Sequence, residues 1–380
     1  MEEPIRVLQV FARMDRGGAE TMIMNVYRHI DRSKVQFDFM VHTEDHCAYD
    51  DEIEKLGGHI YRIPRYTGKN HFQYKKKWKI FLNEHPEYHI IHGHMRSTAA
   101  IYLKIANQFG LTTIAHSHST SSGKGISAVI KNMMQLPIRY EADYLFACSQ
   151  KAGEWLFGKE TTKKEKFCII NNGIDVEKYK FNPIIRQSMR NNFGIEDNQF
   201  LIGHVGSFSY PKNHDFLIDI FNEVHKKKPT SVLLLVGDGE LRHSIEQKVE
   251  NFGLENAVIF AGVRDDVPDL MQMMDVFVFP SHYEGLPVTL IEAQAAGLKC
   301  FISDVITKEI MITKMMKVIP LKENSILWAD SILAYDIPFY RSIEKKKLID
   351  AGYEVKSVVD WLSEFYIERQ TSNTNWKILK

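Results

Sequence analysis

The sequence predicts an α/β protein with two domains, each a doubly wound parallel sheet with helices on both faces. Strand-like apolar runs alternate with amphipathic stretches, a pattern typical of parallel sheets. The alternation stops at a polar, asparagine-rich stretch and restarts at Phe200. The length of 380 residues is also that of two ordinary domains.

The strands and domain limits follow from these runs. The first domain is predicted over residues 1–170, with strands at residues 6–11, 37–41, 60–63, 88–92, 112–116, 144–148 and 167–170. The turn sequence Asn171-Asn172-Gly173 opens a connector over residues 171–199. The second domain is predicted over residues 200–337, with strands at residues 200–205, 231–236, 257–260, 276–279 and 300–302. Residues 338–380 are expected to form C-terminal helices, including an apolar helical stripe at 358–366.

Composition narrows the class of protein. The formal net charge is zero, which argues against a nucleic-acid binder. The charge is uneven, because residues 1–170 carry 24 lysines and arginines against 19 acidic residues. Their lysine-rich segment at 73–79, which includes Trp78, suggests peripheral contact with an anionic membrane, although a charged helix face is the more ordinary interpretation. The four dispersed cysteines, the absence of a bilayer-length apolar run and the acidic first residues predict a cytoplasmic protein.

Two glutamates in the second half form the most informative motif. Glu284 follows the strand at 276–279, so it lies on a turn at the carboxyl edge of the sheet. Glu292 lies in the second turn of a helix predicted over residues 287–296. The start of that helix offers free N–H groups and a positive dipole end to an anionic phosphate. Two glutamates at this spacing are, by themselves, also typical of an ordinary loop and helix.

A glycine-containing loop after the strand at 200–205 forms a second motif. Gly206 and Ser207 follow the strand, and Lys212 stands where the next helix begins. A lysine at that position can neutralise a leaving diphosphate, and the helix dipole adds to its effect. A lone lysine is equally typical of a solvated surface.

The first domain has polar groups at matching strand ends. Gly17 and Gly18 follow the first strand and allow close backbone approach to a ligand, or simply a tight turn. His116 and His118 end the strand at 112–116, and another pair, His92 and His94, ends the strand before it. Paired histidines suggest a metal site, but no acidic residue lies close by in the sequence to complete one. We therefore expect no metal here.

Together these motifs resemble those of the retaining GT-B glycosyltransferases of family 4, whose signature is a pair of glutamates separated by seven residues. The resemblance covers most of the chain and is greatest for the capsule and exopolysaccharide branch. It implies two Rossmann-like domains facing across a cleft, with the last helix crossing back to the first domain. It also implies a nucleotide-sugar donor, favoured to be UDP-linked, a glycan or polyprenyl-linked glycan acceptor, no cofactor and no catalytic metal.

Individual roles follow from the same resemblance. Glu284 and His118 would contact the donor sugar, with His116 as the alternative histidine. Glu292 would contact the ribose, and Lys212 would assist departure of the diphosphate. The other implied donor-binding residues are Gly17, Gly18, Gly206, Ser207, Gly237, Val263, Arg264, Gly285, Leu286, Pro287 and Val288.

One departure from the family pattern leaves the activity open. The family usually carries an arginine where Ser207 stands, five residues before the lysine. Either another cation such as Arg16 or Arg264 substitutes, or the chain is a weak or inactive nucleotide-sugar-binding partner of another transferase. A nicotinamide-dependent oxidoreductase is disfavoured, because no dinucleotide fingerprint follows any strand.

Overall fold

The computed structural model describes residues 3–119, 126–335, 341 and 344–371. It divides into two compact units. The first unit takes in the chain up to Ile174 and again from Gly352 onward, and the second runs from Asp175 to Ala351. The connector predicted at 171–199 is thus split between the units, and most of it folds as part of the second.

The first unit is built on a parallel sheet of seven strands. Their order across the sheet is β3-β2-β1-β4-β5-β6-β7. Strands β2 and β3 therefore lie on one side of β1, and β4 to β7 lie on the other. All seven strands expected from the sequence are present, with small shifts at their ends. They are β1 Ile5–Val10, β2 Val35–Val41, β3 Ile60–Arg62, β4 Ile90–Gly93, β5 Thr112–Ser117, β6 Tyr144–Ala147 and β7 Phe167–Ile169.

Helices cover both faces of this sheet because successive strand side chains point to opposite sides. Val7 lies in one apolar core and its neighbour Leu8 in the other. Ser149 caps one helix by accepting from the Ala152 amide at 3.2 Å. The helices up to Ile174 are α1 Gly18–His29, α2 Asp50–Lys55, α3 His71–Glu84, α4 Ala99–Gln108, α5 Ile126–Gln135, α6 Ile138–Glu141 and α7 Gln150–Phe157, with a 3-10 helix at Thr161–Lys163.

The second unit has a parallel sheet of six strands in the order β10-β9-β8-β11-β12-β13. Its strands are β8 Leu201–Val205, β9 Val232–Val236, β10 Val258–Gly262, β11 Val276–Phe279, β12 Lys299–Ser303 and β13 Met316–Ile319. Its helices are α8 Pro183–Asn192, α9 His214–Lys227, α10 Arg242–Asn251, α11 Val267–Met273, α12 Val288–Ala295, α13 Ser325–Leu333 and α14 Lys345–Asp350, with 3-10 helices at Val176–Tyr179, Tyr210–Lys212 and Lys308–Ile310. The prediction of two doubly wound domains is therefore confirmed.

The last helix, α15 Val355–Thr371, belongs to the first unit although it follows the second in the sequence. Leu362, Phe365 and Tyr366 are buried in the same core as α1 and β2. The predicted return of the last helix to the first domain is confirmed. The helix returns because its apolar stripe covers part of one face of the first sheet, which would otherwise be exposed.

Three details differ from the sequence-based expectation. Strand β13 is an edge strand that the sequence analysis missed, and its two central residues are exposed. Helix α12 begins at Val288, so Pro287 caps the helix instead of occupying its first turn. Trp78, considered as a lipid contact, is fully buried in the core of the first unit.

Two partly buried arginines hold the start of β11, the strand that leads to Glu284. Arg341 donates to the carbonyls of Met271, Gln272 and Met274 at 2.7–2.8 Å, near the end of α11. Arg186 pairs with Asp275, directly before β11, at 2.6 Å. The last carbonyls of a helix have no partner within it, and these guanidinium groups supply one. No helix in the described part of the chain is long and apolar enough to cross a membrane.

Candidate functional site

The predicted donor-binding residues of the second unit lie at the carboxyl edge of its sheet. The strand order changes direction between β8 and β11, which are neighbours in the sheet. Ligands of doubly wound sheets bind outside the strand ends at such a switch point. Gly206 and Ser207 follow β8, and Glu284 follows β11, so the two main motifs flank this position.

Lys212 and Glu284 form an ion pair across the switch point. The Lys212 Nζ lies 2.8 Å from Glu284 Oε1, and the two side chains are 18% and 11% exposed. The ammonium group also lies 4.9 Å from the ring centre of Phe279. Partial burial strengthens the pair, since little water remains to screen it. The pair presents one cation and one carboxylate side by side, as a site for a phosphate and a sugar hydroxyl requires.

The loop that carries Lys212 is held by the loop that carries Glu284. Asn213 adopts the left-handed conformation, with φ of 56°, which asparagine tolerates better than most residues. Its side-chain amide donates to the Pro280 carbonyl at 2.9 Å. The His282 amide donates to the Pro211 carbonyl at 2.8 Å. These bonds between the two loops keep the lysine beside the glutamate.

Glycines allow the loops after β8, β9 and β10 to meet closely. A Cβ atom on Gly237 would lie 2.2 Å from the Gly206 carbonyl oxygen, and the φ of Gly237 is 134°. Only glycine fits both conditions. The Gly237 amide donates to the Gly262 carbonyl at 2.8 Å. A Cβ on Gly206 would lie 3.2 Å from Lys212 Cδ, so the lysine stem crosses directly over this glycine.

Glu292 reaches a tyrosine that the sequence analysis did not identify. The Tyr179 hydroxyl donates to Glu292 Oε1 at 2.7 Å. Burial raises the pKa of Glu292, and the hydrogen bond from Tyr179 offsets only part of this rise by stabilising the ionised form. No motif surrounds Tyr179 in the sequence, so only the fold could reveal this contact.

Three other predicted residues of the second unit, Ser207, Val263 and Arg264, occupy exposed positions. Val263 and Arg264 follow β10, and Arg264 pairs with Asp266 through two bonds of 2.8 and 2.6 Å. The Ser207 hydroxyl lies 3.0 Å from that of Ser209. Arg264 is thus engaged by its own loop, and the structure does not place it beside Lys212. Gly285, Leu286 and Pro287 form the turn that enters α12, whose first residue is Val288.

In the first unit, four histidines stack at the ends of β4 and β5. His92 and His94 rings lie 4.2 Å apart, and His116 and His118 rings 4.0 Å apart. His118 Nε2 lies 2.8 Å from His94 Nδ1, and burial lowers the pKa of His118 to about 3. His116 is 1% exposed, whereas His118 lies past the strand end and is partly exposed. Of the two, His118 is therefore the more accessible to a ligand.

Three of these residues, His92, His94 and His116, have nitrogen atoms within 4.8 Å of one another, as a metal site needs. The rings of His92 and His116 nevertheless lie nearly parallel, at 6°, and the two residues are joined by a 3.2 Å contact between Nε2 and Nδ1. Imidazoles that bind a metal point their nitrogens at one centre, with metal–nitrogen distances of about 2.0–2.1 Å. Stacked, hydrogen-bonded rings fit a neutral polar network better than a metal centre.

The glycine pair of the first unit opens α1. A Cβ on Gly17 would lie 2.2 Å from Glu20 Oε2, whereas Gly18 has open space around it. Burial is the main cause that raises the pKa of Glu20 to about 7. The Glu20 carboxyl lies folded against Gly17, and its burial disfavours the charged form.

Comparisons with known proteins identify the family of the chain. Residues 16–178 match the model of Glycosyltransferase Family 4, and residues 185–314 match Glycosyl transferases group 1. The chain is 36% identical to the Bacillus subtilis (strain 168) protein EpsF, which is named as a glycosyltransferase, over 95% of this chain and 96% of EpsF. It is 27% identical to the Escherichia coli UDP-Gal:alpha-D-GlcNAc-diphosphoundecaprenol alpha-1,3-galactosyltransferase, over 60% of each chain.

A solved structure shares the fold. The crystal structure of Anabaena HepE in complex with UDP and glucose superposes with a TM-score of 0.76 at 20% identity, covering 95% of this chain and 99% of HepE. The family models match most of the chain between them, and EpsF matches nearly all of it. The chain therefore belongs to glycosyltransferase family 4 and has the GT-B fold.

Proposed function

We propose that this protein transfers a sugar from a nucleotide sugar, with UDP favoured as the nucleotide, to a growing surface polysaccharide or lipid-linked glycan. The Lys212–Glu284 pair at the switch point of the second unit carries the proposal. The names of the relatives support it, since one uses UDP-Gal and a diphosphoundecaprenol acceptor, and another, from Staphylococcus aureus, acts in capsular polysaccharide biosynthesis.

In the proposed reaction, Lys212 and the start of α12 stabilise the departing diphosphate. Glu284 orients the donor sugar, and Glu292 accepts hydrogen bonds from the ribose. The acceptor hydroxyl attacks from the face that the diphosphate leaves, so the sugar keeps its anomeric configuration. The leaving phosphate takes the proton of the acceptor hydroxyl. Charge that develops on the phosphate in a partly dry site gains more from a fixed cation than it would in water.

Nucleotide release from a panel of nucleotide sugars tests this function. We expect one nucleoside diphosphate to be released, with UDP favoured, and release to accelerate when the glycan acceptor is supplied. Binding of a nucleotide sugar with no release in the presence of acceptor would favour the inactive partner subunit that Ser207 suggests. Failure to bind any member of the panel would contradict both functions.

Replacing the two glutamates is expected to change different properties, UDP affinity for Glu292 and turnover for Glu284. Glu292→Ala should weaken UDP binding by roughly 10- to 100-fold, because a hydrogen bond to a charged group contributes about 1.5–3 kcal/mol. Glu284→Ala should mainly lower turnover, because its proposed partner is the sugar. Calorimetry with UDP and turnover assays measure the two effects. Unchanged UDP affinity in Glu292→Ala would remove this residue from the site.

Chelators are expected to leave transfer intact. The cation beside the proposed diphosphate is Lys212, and the cluster of histidines is hydrogen-bonded within the first unit. Transfer should therefore be the same after treatment with EDTA as before it. Complete loss with EDTA, restored by manganese, would contradict the site.

We also propose contact with an anionic membrane through α3. Its lysines Lys76, Lys77 and Lys79 are exposed, and Phe72 is 86% exposed beside them. Each lysine near an anionic surface contributes about 1 kcal/mol, so replacing the three with glutamine should weaken binding to phosphatidylglycerol vesicles roughly 100-fold. A matched variant replaces the exposed Lys159, Lys163 and Lys164 with glutamine. Equal vesicle binding by both variants would contradict a contact through α3.

A further inference from the structure

Tyr179 is the side chain that holds Glu292 in place. Its hydroxyl donates to Glu292 Oε1 at 2.7 Å, and the tyrosine is 7% exposed. It ends the 3-10 helix Val176–Tyr179, which packs against α12. The bond joins residues 113 positions apart in the sequence, so it depends on the folded second unit.

The backbone of Tyr179 is itself anchored. The side-chain amide of Gln272, which is 1% exposed, donates to the Tyr179 carbonyl at 3.2 Å. The side-chain oxygen of Gln272 accepts a hydrogen bond from the backbone amide of Asn182 at 3.0 Å. At the other end of the 3-10 helix, Asp175 accepts from the Glu177 amide at 3.2 Å. The hydroxyl is therefore aimed at Glu292 by a rigid support.

The hydrogen bond has two consequences for Glu292. It occupies Oε1, and it fixes the carboxylate so that Oε2 keeps its orientation. It also opposes the effect of burial, which by itself would favour the neutral acid. A neutral carboxylic acid accepts weaker hydrogen bonds from ribose hydroxyls than a carboxylate does, because hydrogen bonds to charged groups are stronger.

Charged groups on the neighbouring elements have other partners. Glu177, on the same 3-10 helix as Tyr179, pairs with Lys345 of α14. On that 3-10 helix Lys178 also pairs with Asp175, at 3.8 Å. On β12, Lys299 lies 5.5 Å from the ring centre of Tyr335. Tyr179 is thus the titratable group that the structure places in direct contact with the Glu292 carboxylate. Burial raises the pKa of Tyr179 well above the usual value.

We propose that Tyr179 is a positioning residue for nucleotide recognition: its hydroxyl holds the Glu292 carboxyl group oriented towards the ribose hydroxyls of the donor. This inference rests on the proposed function, in which Glu292 contacts the ribose. It assigns the first part of the second unit, residues 175–182, a role in donor binding that no motif there indicates.

The test compares UDP with 2′,3′-dideoxy-UDP by calorimetry in the parent, Tyr179→Phe, Glu292→Ala and Tyr335→Phe proteins. Tyr335→Phe removes another tyrosine hydroxyl of the second unit, and it should bind UDP as the parent does. Tyr179→Phe should lose about tenfold in UDP affinity and little in affinity for the dideoxy nucleotide. A structural defect would weaken both nucleotides equally, and that result would overturn the inference.

The pH dependence of binding supplies a second readout. Because the hydroxyl favours the carboxylate, Tyr179→Phe should lose UDP affinity at a higher pH than the parent as the solution is acidified. Unchanged UDP affinity and pH dependence in Tyr179→Phe, with Glu292→Ala weakened, would overturn the role of Tyr179 alone. If Glu292→Ala also binds UDP like the parent, the proposed ribose site fails together with the inference.

Discussion

Lys212→Ala is expected to lower the rate of sugar transfer by about 10²- to 10³-fold, the usual effect of removing one fixed group that stabilises developing charge. Lys212 is the cation that the structure places against Glu284, at 2.8 Å. Its removal also leaves the Glu284 carboxylate, which is 11% exposed, without a cation next to the proposed phosphate position. Like charge would then oppose the diphosphate, so UDP affinity should fall with turnover.

Ser207→Arg is the companion change to Lys212→Ala. The arginine would restore the second cation that the family usually carries beside the diphosphate, so UDP affinity should be kept or increased. The gain should be smaller than the loss in Lys212→Ala, because a first cation neutralises more of the phosphate charge than a second. UDP affinity at two salt concentrations, measured by calorimetry, compares the variants with the parent.

A lysine outside the site serves as the control for Lys212. Lys226 pairs with Glu223 on the exposed face of α9, and Lys226→Ala should change neither UDP affinity nor turnover. If Lys212→Ala binds UDP as tightly as the parent, the diphosphate does not lie where the geometry puts it. If Ser207→Arg binds UDP more weakly, another cation already occupies that position.

The free energy of unfolding is expected to fall steeply as the pH drops below about 6.5. Burial holds the pKa of His118 at about 3 and that of His42 and His214 at about 4, against an ordinary value of 6.5. Burial also lowers the pKa of four further histidines well below the ordinary value, namely His92, His94, His116 and His204.

The sign follows from proton binding. Below pH 6.5 the unfolded chain protonates these histidines while the folded chain does not, so acid favours the unfolded state. The penalty is absent above pH 6.5 and grows until the folded-state pKa is reached. Each such histidine then contributes a loss of about 1.4 kcal/mol per pH unit. Several together approach the whole stability of a domain, which is about 5–15 kcal/mol.

Replacing His214 tests this pH dependence of stability with little other change to the structure. Neither of its ring nitrogens has a hydrogen-bond partner in the described structure, and its ring stacks on Phe208 at 4.2 Å. His214→Phe should therefore fit the site and make the loss of stability between pH 6.5 and 4 shallower. His243→Asn, on the exposed surface of α10, should leave the slope unchanged. Urea unfolding midpoints measured across this pH range test the prediction. If the midpoint of the parent protein does not fall as the pH is lowered, the histidines are not buried in their neutral form.

The sheets could be predicted from the sequence because parallel strands are buried on both faces and read as apolar runs. The run at β11 places Glu284 at a strand end without any knowledge of the fold. Strand β13 was missed because it is an edge strand with two exposed central residues, and its apolar pattern is correspondingly weak. The burial of Trp78 was not predicted, because an aromatic residue among lysines is also typical of a surface that contacts lipid.

The positions of the candidate-site residues could be predicted where these residues directly follow strands. Glu284, Lys212 and Gly237 follow strands, and the rule for parallel sheets brings strand ends together. The contact of Tyr179 with Glu292 could not be predicted, because it joins two helices that meet only in the folded unit. The stack of four histidines was visible only as two separate pairs, since the sequence does not show that β4 and β5 are adjacent.

A crystal structure of the protein with UDP bound is the measurement that tests the central claim most directly. The account predicts ribose hydroxyls within hydrogen-bond distance of the Glu292 carboxylate, about 2.6–3.2 Å, and the diphosphate beside Lys212 and the start of α12. UDP bound elsewhere, with Glu292 and Lys212 keeping only their contacts to Tyr179 and Glu284, would contradict it.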